Sequence, residues 1–197
     1  VFVALQRLTD FQPTDHSSLA VIDGASGEVE RVVRLSATDP FAPLRWVPDL
    51  GRIAVCQAGL FGELDGGLEL LAPDATGPAG HAITEETLGG DLVDAVVVDA
   101  HLGYAVVAVA RPDNQMSTSL VRFDPSSGQR EAVLLEAEGY DYSFLALSPD
   151  REQLWLTDRT RSAPGVRVFS VQDDSELTPH PIDTGLPPFM ICFVPRT

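Results

Sequence analysis

Short apolar runs alternate with clusters of Asp, Gly, Ser and Pro along the whole chain. In the third quarter the runs are Ala95–Val98, Tyr104–Ala110, Ser119–Phe123 and Glu131–Leu135. Each is short and rich in Val, Leu, Thr or aromatic side chains, the content of a β-strand. No stretch sustains apolar residues at i, i+3 and i+4, so no amphipathic helix is expected. The pattern predicts an all-β protein.

The runs repeat. A strand ending in a turn occurs as Ala20-Val21-Ile22-Asp23-Gly24-Ala25-Ser26-Gly27, again at Leu70–Gly77, and again at Val121–Gly128, with a degraded copy at Phe169–Ser175. The turn aspartates Asp23, Asp74, Asp124 and Asp173 are spaced by 51, 50 and 49 residues. A second landmark keeps that period: Asp49, Asp99 and Asp150 each precede a strand. Asp accepts a hydrogen bond from its own turn, and Gly reaches positive φ without strain, so Asp-x-Ser/Thr-Gly closes a tight hairpin. Four antiparallel strands per repeat of this length is the blade of a β-propeller. Helical repeat arrays share the period but need the helical faces that are missing. A β-sandwich would not repeat its turn at fixed spacing.

The expected units are 1–43, 44–94, 95–143 and 144–188, four blades of four strands. The first unit opens on what matches a second strand, Val1–Leu8, and Met190–Pro195 matches an inner first strand. Residues 189–195 are therefore expected to supply the inner strand of the first unit, because an unpaired edge is otherwise left open. The ends fit a closed four-bladed ring. They fit equally, and this is the preferred expectation, the second half of a seven- or eight-bladed ring whose missing N-terminal half is a partner.

Val1-Phe2-Val3-Ala4 and the hairpin Ser17-Ser18-Leu19-Ala20-Val21-Ile22-Asp23-Gly24-Ala25-Ser26-Gly27-Glu28-Val29 resemble the YVTN family of β-propellers. The other units match it at Asp74, at Asp124 and in their strand pattern. The resemblance implies a non-catalytic cell-surface or periplasmic module for binding or scaffolding, its protein or small-molecule ligand unknown. A propeller-fold enzyme, lactonase-like or a redox-enzyme subunit, is the alternative, since the fold hosts many activities. It also implies that ligands meet the face built from the loops between second and third strands and between blades. On that face the ligand-binding candidates are Arg7, Gln57, Arg111, Asp113, Asp158 and Arg159, although solvated loops account for the same residues. Long spacers at Thr9–Ser17 and Phe61–Gly67 are places for specificity.

Charge narrows the partners. The formal net charge is −16 and every basic residue is Arg. A surface so acidic repels a phosphate backbone, so no nucleic-acid partner is expected. No apolar run reaches the roughly 18–20 residues of a membrane-spanning helix. A targeting or lipid-anchor segment is expected upstream of Val1, with an extracellular, cell-surface or periplasmic location. Cys56 and Cys192 fall in apolar runs and are expected as buried free thiols. His16, His81, His101 and His180 are scattered, so no metal or other cofactor is expected, and the Asp65, Asp91, Asp94, Asp173 and Asp174 carboxylates lack a calcium-loop spacing. No Gly-x-Ser-x-Gly motif is present, and no catalytic residue is assigned. Trp46 and Trp155 are expected to pack between blades. Asp141–Phe144 precede an inner strand, where packing against a neighbouring blade is the simpler expectation.

Overall fold

A computed structural model of the chain describes residues 1–10, 12–13, 15–112 and 115–194. The first sheet holds β1 (Phe2–Leu5), β4 (Ser18–Ile22) and β5 (Val29–Arg34), with a small hairpin of β2 (Leu8–Thr9) and β3 (Gln12–Pro13) inserted after β1. The second holds β6 (Arg45–Val47), β7 (Arg52–Gln57), β8 (Gly67–Leu71) and β9 (His81–Thr84). A single helical turn, α1 (Glu85–Leu88), leads to the third, formed by β10 (Asp91–Val97), β11 (Gly103–Ala110), β12 (Met116–Asp124) and β13 (Gln129–Glu138). The fourth holds β14 (Tyr142–Leu147), β15 (Gln153–Asp158), β16 (Gly165–Ser170) and β17 (Ile182–Asp183). Within every sheet the order follows the sequence and all pairs are antiparallel. The chain is a β-propeller of four consecutive blades.

The repeated turns close as their chemistry requires. Asp23 Oδ1 accepts from the backbone N–H groups of Ala25 and Ser26, and Asp124 Oδ1 accepts from those of Ser126 and Ser127. Gly27 and Gly128 follow at φ +73° and +66°, the left-handed region where a side chain is strained.

Alternation along each strand sends one set of side chains to each neighbouring blade. Leu19, Val21 and Val33 pack on Ile53, Val55 and Leu71 between blades 1 and 2. Ala54, Cys56 and Leu68 meet Ala95, Ala105 and Phe123 between blades 2 and 3. Val96, Tyr104 and Val106 meet Leu145, Leu154 and Phe169 between blades 3 and 4. Among the described residues no such cluster joins blade 4 to blade 1, so the blades form an open arc.

That opening corrects three expectations. Residues 189–194 enter no sheet, and Pro195 lies outside the described residues, so blade 1 has three strands. The run instead places Phe193 edge-on against Trp155, ring centroids 5.4 Å apart. Trp46 is 55 % exposed. It stands opposite Ile53, on the side facing blade 1, where an inner strand would cover it. Cys56 is buried but Cys192, in the unpaired run, is exposed, and both thiols are free. The expected boundaries at 94/95 and 143/144 fall inside β10 and β14, which begin earlier than their apolar runs.

Candidate functional site: the axial mouth

In an antiparallel blade, the loops joining second to third strands and the connectors between blades lie at one end. Buried polar side chains pin those connectors. Gln57 Oε1 accepts from the backbone N–H of Ala37, and its Nε2 donates to Glu69, whose carboxylate also accepts from Ser36 N–H. Thr118 Oγ1 accepts from the N–H groups of Asp141 and Tyr142. Glu85 accepts from Gly66 N–H at 2.7 Å and Leu92 N–H at 2.6 Å. Burial pushes the Glu85 carboxyl up to about 7, with the negative charges of Asp91 and Asp65 adding to the shift.

The inner strands carry the strongest electrostatic feature. A bulge between Leu92 and Asp94 re-aims β10 and turns Asp94 toward Arg45. Arg45 Nη1 and Nη2 donate to Asp94 Oδ1 and Oδ2 at 2.5 and 2.7 Å. The same guanidinium donates to the carbonyls of Ala95 and Leu145, at 3.1 and 2.8 Å. Asp94 accepts in turn from the N–H groups of Ala95 and Leu145. The guanidinium carbon lies 5.0 Å from the centre of the Phe144 ring, which adds a cation–π contact. One ion pair thus joins the inner strands of blades 2, 3 and 4. Burial raises the Asp94 carboxyl above its ordinary range, against the pull of Arg45 and two amides. It also raises the Cys56 thiol to about 12, so that thiol is inert at neutral pH.

Over this pair opens a groove of about 310 Å³, walled by Phe41, Pro43, Tyr140, Phe144, Arg159 and Met190. Its size falls at the lower end of ordinary ligand pockets, roughly 300–1,000 Å³. A depression of about 200 Å³ continues it past Tyr140 toward Asp91 and Phe61. Arg159 supplies the cationic side chain of the groove wall beyond the Arg45–Asp94 pair. Its backbone N–H donates to Asp141 O at 2.8 Å, which holds the residue beside the connector into blade 4. Its Nε–H is buried and, among the described residues, has no hydrogen-bond partner. An unpartnered buried donor is costly.

Of the ligand-binding candidates among the described residues, only Arg159 lines this groove. Gln57 is the buried connector pin described above. Asp158 is also buried, accepting from Arg167 Nε at 2.6 Å and from the backbone and hydroxyl of Thr160. Both are held by the fold rather than offered to a ligand. Arg7 stands on the flank of blade 1, 3.5 Å from Asp15, in a separate shallow depression with Arg34 and Val32. Arg111 is exposed on the loop after β11, and Asp113 lies outside the described residues. Phe41, Tyr140 and Met190 were not anticipated. Phe41 and Tyr140 share one signal, an apolar side chain in a blade-to-blade connector where polar residues are the norm, whereas Met190 falls in the run expected as an inner strand. Phe144 does line the axis, while Tyr142 is in the core between blades 3 and 4.

Among the described residues, no three His, Cys, Asp or Glu side chains are grouped so as to hold a metal ion. The aspartates considered for calcium accept backbone or guanidinium donors: Asp65 from Leu60 N–H, Asp91 from Gly62 N–H and Asp174 from Arg122. Among the described residues, no helix is long and apolar enough to cross a membrane.

No protein-family model matches the chain, and no curated protein matches its sequence. Among solved structures the chain is similar to hydrazine synthase from Kuenenia stuttgartiensis, with a TM-score of 0.56 at 13 % identity. The match covers 79 % of this chain and 46 % of that one, so the chain spans less than half the length of its structural neighbour. At this identity the likeness bears on the fold alone.

Proposed function

We propose that the chain is a non-catalytic binding module whose ligand enters the axial mouth, at the cell surface or in the periplasm. The observation that carries the reading is the Arg159 guanidinium, whose Nε–H has no partner among the described residues, in a groove walled mainly by aromatic and apolar side chains, with Ser143 and the Arg45-paired Asp94 as its other polar lining. Such a wall suits a flat apolar body, and the guanidinium suits an anionic or acceptor group at its end. The resemblance of the first unit to YVTN propellers supports the location and the binding role. The likeness to an enzyme at 13 % identity concerns the fold and does not move the reading.

A thermal-shift comparison of benzoate and phenyl phosphate with benzamide tests the groove. The two anions are expected to raise Tm and the neutral amide to leave it unchanged, with Arg159→Gln abolishing the effect. Equal shifts with all three probes, or none with any, remove the groove from the reading.

A further inference from the structure

The depression of about 200 Å³ that adjoins the groove has a chemistry of its own. Phe41, Phe61 and Tyr140 line it together with the carboxylates of Asp39 and Asp91. All of its lining residues fall between Asp39 and Tyr140 in the chain, on the loops and connectors of blades 1 to 3. The three rings are 61, 54 and 37 % exposed, so each leaves much of its surface uncovered. Among the described residues none of them stacks on another ring or on a cationic side chain.

The fold holds these groups in place. Asp39, at φ +51°, bends the connector from blade 1 to blade 2. Its carbonyl accepts from Phe41 N–H at 2.8 Å and from Ala58 N–H at 2.9 Å, which ties the connector to the loop after β7. Phe61 stands in that loop, next to Gly62, whose N–H donates to Asp91 Oδ1 at 2.5 Å. The side-chain amide of Gln6 donates to Asp39 Oδ1. Among the described residues no positive charge offsets either carboxylate. Burial raises both carboxyls above their ordinary range, and the charge of Asp65 adds to the shift at Asp91. Asp91 is only 2 % exposed. A carboxylate so buried without a counter-charge is costly.

We propose that this depression is an aromatic cage for an organic ammonium ion, a methylated or quaternary amine. Ring faces attract such a cation through their quadrupole, and most strongly where water is displaced. The two carboxylates supply the counter-charge. A compact metal ion is poorly served, because it asks for several converging oxygen ligands. Among the described residues no three His, Cys, Asp or Glu side chains are grouped to hold one. The cage shares Phe41, Val93 and Tyr140 with the Arg159 groove. Tyr140 accordingly feels the positive charge of Arg159 and the negative charges of Asp94 and Asp91. The cage takes a charge opposite to the one proposed for the groove and stands without that reading.

Isothermal titration of the full chain with choline chloride is expected to show saturable binding at one site. Neohexanol, the uncharged isostere of choline, and sodium chloride are expected to show none. Phe61→Leu keeps the apolar bulk but removes the ring face, and Asp39→Asn keeps the shape but removes the charge. Each is expected to weaken choline by about tenfold, with an unchanged far-UV spectrum. Phe61 is more than half exposed, so its replacement leaves the fold intact. Arg159→Gln is expected to leave choline binding unchanged while abolishing the benzoate shift, so the cage and the groove fail separately. Three results overturn the proposal: no saturable binding of choline; equal binding of choline with neohexanol or with sodium chloride; or choline binding that survives either Phe61→Leu or Asp39→Asn.

Discussion

Blade 3 and blade 1 use the same hairpin chemistry and differ in how many neighbours they have. In blade 3 all seven residues of β10 are buried, because blades 2 and 4 cover its two faces. In blade 1, β1 alternates between half-buried and exposed positions, because only blade 2 covers it. Yet Asp23 and Asp124 close their turns by the same pair of backbone bonds. Turn residues thus specify the sheet locally, while neighbours supply most of the burial. That division is what a repeat architecture predicts.

The largest expected effect tests the bond that spans three blades. Asp94→Ala leaves Arg45, only 18 % exposed, without its carboxylate, and is expected to cost about 3–5 kcal/mol in urea unfolding. The paired change Asp94→Leu/Arg45→Met should recover most of it. A cost within about 0.5 kcal/mol would show the pair to be ornamental.

The second test sets the two blades side by side. Leu120→Ala, in the core between blades 3 and 4, is expected to cost about 2–4 kcal/mol. Val32→Ala, at an exposed position of blade 1, should change stability by no more than about 0.5 kcal/mol. Equal costs would break the comparison.

The smallest effect is read in pH. The connector from blade 2 to blade 3 is pinned by Glu85, whereas the one from blade 1 to blade 2 is pinned at Ala37 by the neutral amide of Gln57. With Glu85 raised to about 7, the folded state keeps a proton that the unfolded chain releases at lower pH. Its stabilising contribution is complete in acid and is lost as pH rises through about 7, on the order of 2 kcal/mol between pH 5 and 8. Glu85→Gln should remove that share of the slope, whereas Gln57→Ala should lower stability equally at both pH values. A slope unchanged by Glu85→Gln would locate the titration elsewhere.

The repeat was legible because turn chemistry is local: Asp23 and Asp124 announce their hairpins within six residues. Strand content was legible for the same reason, and the structure chiefly lengthens the runs, as in Met116–Asp124 around Ser119–Phe123. Burial was not legible. Gln57 and Asp158 end second strands, as a ligand-facing residue would, and only the packed connectors show them to be internal. The Arg45–Asp94 pair was missed although its signal is present, since 49 residues is one blade period and brings both side chains to adjacent inner strands. The place of residues 189–194 depends on whether the ring closes, which no local pattern records.

The reach of Arg45 to Leu145, 100 residues along the chain, has a consequence for how the arc comes apart. A linear array with contacts only between neighbours unzips one unit at a time from either end. A next-nearest tie makes the loss of blade 4 costly to blade 2 as well, so blades 2 to 4 should open as one cooperative block while blade 1 frays independently. In native-state hydrogen exchange, the amides of β10 and β14 would then share a single opening free energy, with those of β1 and β4 well below it.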